Sequence, residues 1–497
     1  MMSAAVASQT KRGGIGRSIT FADAQARGDQ HPGLIAEMRA VIGDENVRVD
    51  FPTRLCYARD RLPWGTFNIR RGKLPFDLPA AIVAPANHDE VRALLRLANA
   101  AQVPVIPFGA GSGVLGATLP LRGEIMLDLK RLNRILAWHD MDGMVDVQAG
   151  MNGGEFERAL NQRGFMCGHY PQSLRMSTVG GWVACRGAGQ ESTRYGKIEH
   201  LVRGMNVVMA NGDDFEVRAG PPRAVGPSLQ DLLVGSEGTL GVITSLSLRM
   251  FPLPALKQPL VLAYGNLAEA LQASRNMLQA ELRPAVFRLH DETESRTKVR
   301  GLSGFDAHPI LCFLEFHGDP RLVEVEYGLA RDIALRHGAM VGSNGPFEDW
   351  LAHRFQSYSV QAQAENNYQD TIEVSAPWSR LEAMHAAMRE AVTALHPALF
   401  FGTHWSHAYA EGACQYMTFR LPAMADDEAL AIHARLWETV HALCSEHGGS
   451  ISHHHGIGFF RADWMAQDIG RGGLDVLRQI KVALDPRAIL NPGKLGL

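Results

Sequence analysis

The sequence has no C-x-x-C pair, no apolar run of about 18 residues and no surplus of basic side chains. Its six cysteines are scattered, which excludes an iron–sulfur ferredoxin segment and a zinc ribbon and predicts buried free thiols: Cys56, Cys167, Cys185, Cys312, Cys414 and Cys444. The 49 basic and 52 acidic residues leave a net charge of −3, so nucleic acid is not an expected partner. The stretch from Met1 to Arg17 has no apolar signal-peptide core, and we expect a cytoplasmic protein without a transmembrane segment.

The chain is long enough to bury several cores. Its 497 residues, 46% of them hydrophobic, predict two or three domains. Pro252 and Pro254 mark the main boundary. The predicted parts are an N-terminal lead-in at 1–75, a nucleotide-binding domain at 76–254, a cap or substrate domain at 255–450, and a C-terminal segment at 451–497 that returns to the bound nucleotide. Symmetric dimers are the commonest assembly of soluble chains, which makes a homodimer the default expectation.

The spacing of apolar residues predicts alternating strands and helices. Predicted strands cover residues 80–85, 103–106, 125–129, 144–149 and 310–316. Predicted helices cover residues 34–42, 155–163, 321–337 and 381–395, and one begins at Asp89 with Val91, Leu94, Leu95 and Ala98 on its apolar face. The segment 59–73, with five basic residues and Trp64, predicts a surface loop.

One glycine-rich stretch follows a β-branched run and reads PVIPFGAGSGVLG from Pro104 to Gly116. Glycines let backbone N–H groups approach a ligand closely, so we interpret it as a cradle for a pyrophosphate. It contains G-x-G-x-x-G, but a Rossmann turn requires a helix to begin there. A second apolar run at 125–129 follows instead, which predicts strand-loop-strand and argues against a Rossmann fold.

Two further segments have the same character. Small and hydroxylic residues dominate from His169 to Gly189, a composition that suits a backbone wrapped around a large planar ligand better than a core helix. The segment from Gly235 to Ile243 is a glycine turn that leads into a β-branched strand. The simpler alternative for all these segments is a set of structural loops.

The candidate chemistry lies in the last hundred residues. Histidines and a tyrosine cluster in residues 404–416, and His453, His454 and His455 follow one another on a glycine-flanked turn. Imidazoles exchange protons near neutral pH, which suits acid–base catalysis. A surface histidine run and a metal site completed by His404 and His407 are the alternatives. Arg288 stands alone in an apolar run, where either a salt bridge or substrate binding explains its charge.

The order of the motifs PFGAGSG, PQSLRMSTVGG and GSEGTLGVIT resembles the FAD-binding domain of the vanillyl-alcohol oxidase and p-cresol methylhydroxylase superfamily. This resemblance covers roughly residues 76–254 and implies that FAD is the cofactor. It assigns the pyrophosphate to Pro107, Phe108, Gly109, Ala110, Gly111, Ser112 and Gly113, the flavin to Pro171, Gln172, Ser173, Ser177, Thr178, Gly180, Gly181, Ala184 and Arg186, and the adenine–ribose side to Glu237, Gly238, Thr239, Gly241, Val242 and Ile243.

The same resemblance implies an α+β fold, with a two-subdomain FAD-binding domain of the p-cresol methylhydroxylase type and an α+β cap. Some members attach the flavin through His or Cys of the first loop; Ser112 stands in that loop here, so we expect non-covalent FAD. The ending LDP…LNPGK at residues 484–494 is similar to that of the D-lactate dehydrogenase and glycolate oxidase branch. Several hydroxy-acid dehydrogenases of the superfamily bind a divalent metal through two histidines and a Glu-His-Gly, but Tyr416 and His453 or His454 replace two of those residues here, so we expect no metal.

The motifs SAPW at 375–378, GAC-x-Y at 412–416 and HHHG at 453–456 resemble the alkyldihydroxyacetonephosphate synthases of ether lipid biosynthesis. That resemblance spans roughly residues 76–497 and implies catalytic roles for Tyr416, His453, His454, His455 and Arg288. Tyr416 would transfer the proton, the histidines would assist deprotonation and departure of the acyl group, and Arg288 would support the site. In that family a fatty alcohol replaces a fatty acid on a dihydroxyacetone carbon bound to flavin N5, without net redox chemistry.

Two departures keep alternatives open. Ser359 and Gln361 stand where the family has its phosphate-binding arginine, with Arg354 nearby but out of register, and the C-terminus is not a peroxisomal S-K-L signal. A FAD-linked oxidase or dehydrogenase of a D-2-hydroxy acid or an alcohol is therefore the second hypothesis. A non-catalytic flavin or electron-relay module is the third, disfavoured by the titratable groups at one site.

Overall fold

The computed structural model describes residues 18–26, 30–299, 307–356 and 368–497, which form an α+β protein. The first subdomain is built on a four-stranded sheet in the order Val47–Arg48, Ala81–Val83, Ile125–Asp128, Val105–Phe108, parallel except for its first pair. Helix His88–Ala101, capped by Asn87, packs on the sheet with Val91, Leu94, Leu95 and Ala98 buried, as predicted. The chain passes from Phe108 to Ile125 without a described helix, which confirms the strand-loop-strand prediction.

The second subdomain is a five-stranded antiparallel sheet in the order Asp214–Val217, Val202–Val208, Val242–Arg249, Met144–Gln148, Ile135–His139. Helix Val179–Cys185 packs against it, capped by Thr178, whose Oγ1 accepts from Gly181 N. The expectation that this glycine-rich stretch would avoid a core helix is wrong for these seven residues. The reason is close packing: a Cβ on Gly180 would lie 2.6 Å from Ala149 Cβ, so a larger residue could not bring the helix this near the sheet.

The cap is a seven-stranded antiparallel sheet in the order Met340–Val341, Leu256–Tyr264, Ile310–Gly318, Val286–His290, Phe400–Ala408, Gly412–Leu421, Tyr368–Pro377. Helices Trp378–Thr393 and Asp426–Glu446 cover one face of its outer strands with a large apolar core. The opposite face of those strands turns toward the three glycine-rich motifs.

The remaining short strands pair as Ile19–Thr20 with Lys73–Leu74 and Phe165–Met166 with Phe251–Pro252. The other α-helices are Phe21–Ala26, Pro32–Ile42, Phe51–Tyr57, Pro63–Arg70, Gly153–Gln162, Ser192–Tyr195, Leu229–Leu233, Leu267–Gln279, Glu292–Lys298, Pro320–Arg336, Gly345–His353, Met465–Asp468 and Gly470–Leu484. Short 3-10 helices occur at Asp44–Asn46, Leu129–Arg131, Asp140–Asp142, Ile198–His200 and Ala462–Trp464. Within the described ranges, no helix has both the length and the apolarity to cross a bilayer.

Two expectations for the lead-in and the thiols are corrected. Residues 63–70 of the expected surface loop form a helix that buries Trp64 and Phe67, because these aromatic side chains pack into the cap core. All six cysteines are free, but Cys56 is exposed and Cys185 half-buried.

The C-terminal segment returns to the first subdomain. Val105 N donates to the carbonyl oxygen of Ile489 at 2.7 Å, and Asn491 N donates to that of Val105. Asn491 Nδ2 also donates to the carbonyl oxygens of Ala117 and Glu237. These hydrogen bonds fix the end of the chain beside two of the glycine-rich motifs.

Candidate active site

A cleft of about 750 Å³ lies between the three glycine-rich motifs and the cap sheet. Its first wall is mostly backbone. The cofactor residues predicted from the sequence that line it are Pro107, Phe108, Gly109, Ala110, Gly111, Ser112, Gly113, Pro171, Gln172, Ser173, Thr178, Gly180, Gly181, Ala184, Glu237, Gly238, Gly241, Val242 and Ile243. The structure therefore brings all three motifs to one surface.

Three predicted cofactor residues do not line the cleft. Ser177 is buried and accepts a hydrogen bond from Trp182 Nε1, and Thr239 is buried with its hydroxyl on the carbonyl oxygen of Ser236. Arg186 ends its helix at a φ of +57° and pairs with Glu199 at 3.2 Å. These three residues support the wall from behind.

Several polar atoms at this wall lack hydrogen-bond partners in the part of the chain that the structure describes. Thr118 Oγ1, both ring nitrogens of His169 and Gln190 Oε1 are buried without a hydrogen bond among the described residues, and all three residues line the cleft. Unsatisfied buried polar groups are costly, so the wall fits a ligand that carries many hydrogen-bonding groups. The glycine motifs and these atoms together fit FAD.

The second wall consists of side chains on the cap sheet. Along strand Gly412–Leu421, alternate residues face the cleft, and Tyr416, Thr418 and Arg420 line it. Met417 and Phe419 point to the opposite, apolar face. Neighbouring strands contribute Thr371, His404, Ser406 and Arg288 to the same polar face.

Tyr416 sits among imidazoles. Its ring stacks on His404, with centroids 4.7 Å apart and planes inclined by 20°. His455 approaches edge-on at 5.4 Å and His454 lies at 6.1 Å. The structure thus brings together four of the five predicted catalytic residues at the cleft surface, Arg288, Tyr416, His454 and His455, whereas His453 lies behind them and bonds Tyr409 Oη through Nε2 at 2.7 Å.

A buried ion pair holds the histidine turn. Glu373, opposite Tyr416 in the sheet, accepts from the backbone N–H groups of His453 and His455 and from Arg461 Nη1 at 2.7 Å. Burial by itself raises the pKa of Glu373, but the charge of Arg461, joined at acidic pH by the protonated His455 and His453, outweighs it and brings the pKa to about 2. Glu373 is therefore ionised and fixes the orientation of the turn.

The imidazoles around Tyr416 are neutral at pH 7. Burial lowers the pKa of His404 and of His455 to about 4, and that of His453 to about 3. Burial and neighbouring imidazoles lower the pKa of His454 well below its usual value. A neutral imidazole can accept a proton or relay one, so the set suits general base chemistry.

Arg288 has no carboxylate within ion-pair distance in the described ranges, so the salt-bridge explanation of its charge is not supported. Its Nε lies 3.3 Å from His290 Nε2 and its Nη2 lies 3.3 Å from His404 Nδ1. His404 Nδ1 also lies 3.0 Å from Glu294 Oε2. Arg288, His404 and Glu294 form a connected polar group beside Tyr416.

One set of potential metal ligands occurs in the described part of the chain: Glu373, Cys414, His453 and His454, whose ligand atoms lie within 4.8 Å of one another. It does not include His404, which bonds Glu294, or His407, whose Nδ1 lies 2.7 Å from Ser192 Oγ. Glu373 is already saturated by Arg461 and backbone donors.

The position of the family's phosphate-binding arginine, at Ser359 and Gln361, lies outside the described residues. Nearby Arg354 lines the cleft, but its Nη1 pairs with the buried Glu191 at 3.1 Å. Its charge is therefore partly neutralised by the protein itself.

Sequence reasoning did not single out Glu294, Glu373, Arg461, Thr418 or Arg420. A lone acidic residue between Ile372 and Val374 in a β-branched strand was the available signal for Glu373. Arg461 offered none, because its role depends on the tertiary position of the turn.

Two family models match the chain. The FAD binding domain matches residues 79–218, and the C-terminal domain of FAD linked oxidases matches residues 253–495. The alkyldihydroxyacetonephosphate synthase of Trypanosoma brucei brucei is 28% identical, covering 93% of this chain and 80% of its own. The glycolate oxidase subunit GlcD of Bacillus subtilis is 27% identical, covering 92% and 95%.

Solved structures agree on the fold. A crystal structure of an alkyldihydroxyacetonephosphate synthase superposes with a TM-score of 0.80 at 24% identity, covering 96% of this chain and 88% of the other. p-Cresol methylhydroxylase with substrate bound gives a TM-score of 0.77 at 16% identity, covering 97% and 99%.

Proposed function

Because the chain belongs to the FAD-linked oxidase superfamily and uses FAD as its cofactor, we propose that it is a transferase similar to alkyldihydroxyacetonephosphate synthase. The observation that carries this proposal is Tyr416 stacked on His404 and flanked by His454 and His455. In the proposed reaction a long-chain alcohol replaces the fatty acid of an acylated dihydroxyacetone phosphate. One C–O bond breaks, another forms, and the alcohol proton leaves with the acid, so no electrons are gained or lost.

The first wall would hold the cofactor through Pro107–Gly113 and the segments at 171–184 and 237–243. When bound, the flavin would supply an electron-poor ring system. Non-covalent attachment, with Ser112 in the first loop, is part of this proposal.

The second wall would move the protons. Tyr416 Oη is the proposed general acid and base, because its ring is fixed by His404 in the cleft. His454 and His455, neutral at pH 7, would accept or relay the proton, and Glu373 would keep their turn in place. Arg288 would orient His404 and place a positive charge beside the oxygen of the departing acid.

A second candidate is an oxidoreductase of a D-2-hydroxy acid or an alcohol. The observation that favours it is the engagement of Arg354 by Glu191, which weakens one potential phosphate contact. His404, held by Glu294, would then be the base that removes the hydroxyl proton, and the bound flavin would supply the two-electron acceptor.

An anaerobic titration of the FAD-loaded protein tests the proposal. Under the synthase proposal, acyl-dihydroxyacetone phosphate with a fatty alcohol yields the ether product and free acid while the flavin remains oxidised at the end. Bleaching of the oxidised flavin band by D-2-hydroxy acids or alcohols, with no ether product, would replace the synthase with the oxidoreductase.

A further inference from the structure

Three cations line the cleft around Tyr416. Arg288 projects from strand Val286–His290, Lys298 ends helix Glu292–Lys298, and Arg420 lies on the strand that carries Tyr416. All three line the cleft. The chain as a whole has a net charge of −3, so a local group of three cations needs a specific explanation.

None of these charges forms a salt bridge with another described residue. In the ranges that the structure describes, no carboxylate lies within ion-pair distance of any of the three. Arg420 stacks its guanidinium 4.8 Å from the ring centroid of Phe400, and Arg288 bonds only histidine nitrogens. Clustered cations repel one another, so an anion bound between them would stabilise the arrangement.

The three groups share one space. Burial and the charges of Arg288 and Arg420 lower the pKa of Lys298, while Glu294 and Asp349 act in the opposite direction. With these two carboxylates counted, three cations and two anions still leave a net positive charge. Lys298 and Glu294 lie one helical turn apart, and both line the cleft.

Arg420 lies away from the nucleotide end of the cleft, and Arg288, opposite Ser406 in the sheet, lies between Arg420 and that end. The flavin-side motifs meet the cap sheet at its other end, where Ser192 Oγ lies 2.7 Å from His407 Nδ1 and Cys185 Sγ lies 3.3 Å from the carbonyl oxygen of His455. Arg420 pairs across the sheet with Phe400, at the opposite end of the strand from His407. It also lines an adjoining cavity of about 270 Å³.

We infer that Lys298 and Arg420, together with Arg288, form a subsite for the oxyanion group of the substrate, a phosphate ester or a carboxylate. Arg420 follows Tyr416 by four positions, about 13 Å along the strand. Its guanidinium lies over Phe400, whereas Arg288 Nη2 reaches His404, the residue that stacks on Tyr416. The subsite thus places an anionic head group while the reacting carbon lies at Tyr416. This inference rests on the proposed function for the position of the reacting carbon.

Calorimetric titration of the FAD-loaded protein with inorganic phosphate and, separately, with acetate tests the subsite at constant ionic strength. We expect Lys298→Gln and Arg420→Gln each to weaken the binding of one of these probes by about 10- to 100-fold, the usual loss for a charge-assisted hydrogen bond. Lys298→Arg should retain most of the affinity. Arg296→Gln is the matched control, because Arg296 lies on the same helix but is exposed and paired with Glu292.

The two probes distinguish the sources of the oxyanion. Selective loss of phosphate binding supports a phosphate ester, and selective loss of acetate binding supports a carboxylate and overturns the ester. Unchanged affinity for both probes in variants that retain FAD, or no binding to the unmodified protein, overturns the subsite. If a glutamine variant fails to fold, the Lys298→Met and Arg420→Lys variants are titrated in its place.

The outcome is independent of turnover. A flavin bleached by a hydroxy acid would overturn the synthase proposal and leave the subsite intact. Ether formation at the normal rate, with unchanged phosphate affinity in Lys298→Gln and Arg420→Gln, would support the synthase proposal and overturn the subsite.

Discussion

The two walls of the cleft differ in the atoms that they present. The flavin-side wall offers glycine-rich backbone, and the cap-side wall offers the side chains of His404, Tyr416, Thr418 and Arg420. A backbone wall can follow a long cofactor because each glycine permits close approach. A side-chain wall supplies the titratable groups that reactions need.

The two walls also differ in what can disrupt them. On the cap sheet a register shift of one residue would turn Tyr416 into the apolar core and Met417 into the cleft. The flavin-side loops have no such alternation, and their sensitivity is steric: a Cβ on Gly109 would lie 2.3 Å from Thr178 Oγ1. We therefore expect substitutions that remove charge to be most harmful on the side-chain wall, and substitutions that add volume to be most harmful on the backbone wall.

The largest effect is expected from Glu373→Gln on the side-chain wall. The substitution keeps the shape but leaves the charge of Arg461, which has 0% exposure, without its partner. Breaking a buried pair costs about 3–5 kcal/mol, so the urea midpoint of the FAD-loaded protein should fall strongly. Glu292→Gln removes an exposed pair and should change stability by less than about 1 kcal/mol. Equal shifts in the two variants would mean that the ion pair does not hold the turn.

On the same wall, Tyr416→Phe tests the catalytic role of the hydroxyl while keeping the packing of the ring. The ring stack on His404 remains, so FAD content and melting temperature should be unchanged. Loss of the hydroxyl should lower kcat by about 10²- to 10⁴-fold, the usual contribution of a general acid or base. The control is Tyr264→Phe, whose buried hydroxyl lies in the cap core and has no described partner. Retention of full turnover in Tyr416→Phe would remove Tyr416 from the mechanism.

The backbone wall is tested by alanine at two glycines of one loop. Gly109→Ala places a Cβ against Thr178 and should lower both stability and FAD affinity, by about 1–3 kcal/mol. Gly113→Ala meets no protein atom closer than Asp60 at 4.0 Å, so the apoprotein should keep its melting temperature. If this loop cradles the pyrophosphate, Gly113→Ala still weakens FAD binding, measured by flavin fluorescence. Unchanged FAD affinity in Gly113→Ala would place the pyrophosphate elsewhere.

The backbone wall could be predicted from the sequence because its signal is local. The loop at 107–113 and the turn at 237–243 are recognisable from their own glycines and the strands beside them. Helix Val179–Cys185 was missed because its glycines serve close packing on Ala149, a tertiary requirement that composition does not reveal.

The side-chain wall was only partly predictable. Tyr416 and the histidine turn stand out by residue type, but Glu294, Thr418 and Arg420 become neighbours of Tyr416 only through strand register and helix placement. Arg461 reaches Glu373 across 88 residues of sequence. Contacts between residues so far apart in the sequence cannot be inferred from one sequence alone.

The most gradual effect should appear where the walls meet, at Glu237, which accepts from the backbone N–H groups of Ile457 and Gly458. Burial raises the pKa of Glu237 from 4.5 to about 7, so the folded state holds this proton more tightly and Glu237 lowers stability as pH rises from 4.5 to 7. The pKa of His404 falls to about 4, so its contribution to stability instead grows from pH 4 to 6.5. Glu237→Gln removes only the first trend, at most about 1.4 kcal/mol per pH unit, and its melting temperature should rise more steeply with pH than that of the unmodified protein. Parallel melting curves would show that Glu237 has the same pKa in the folded and unfolded chains.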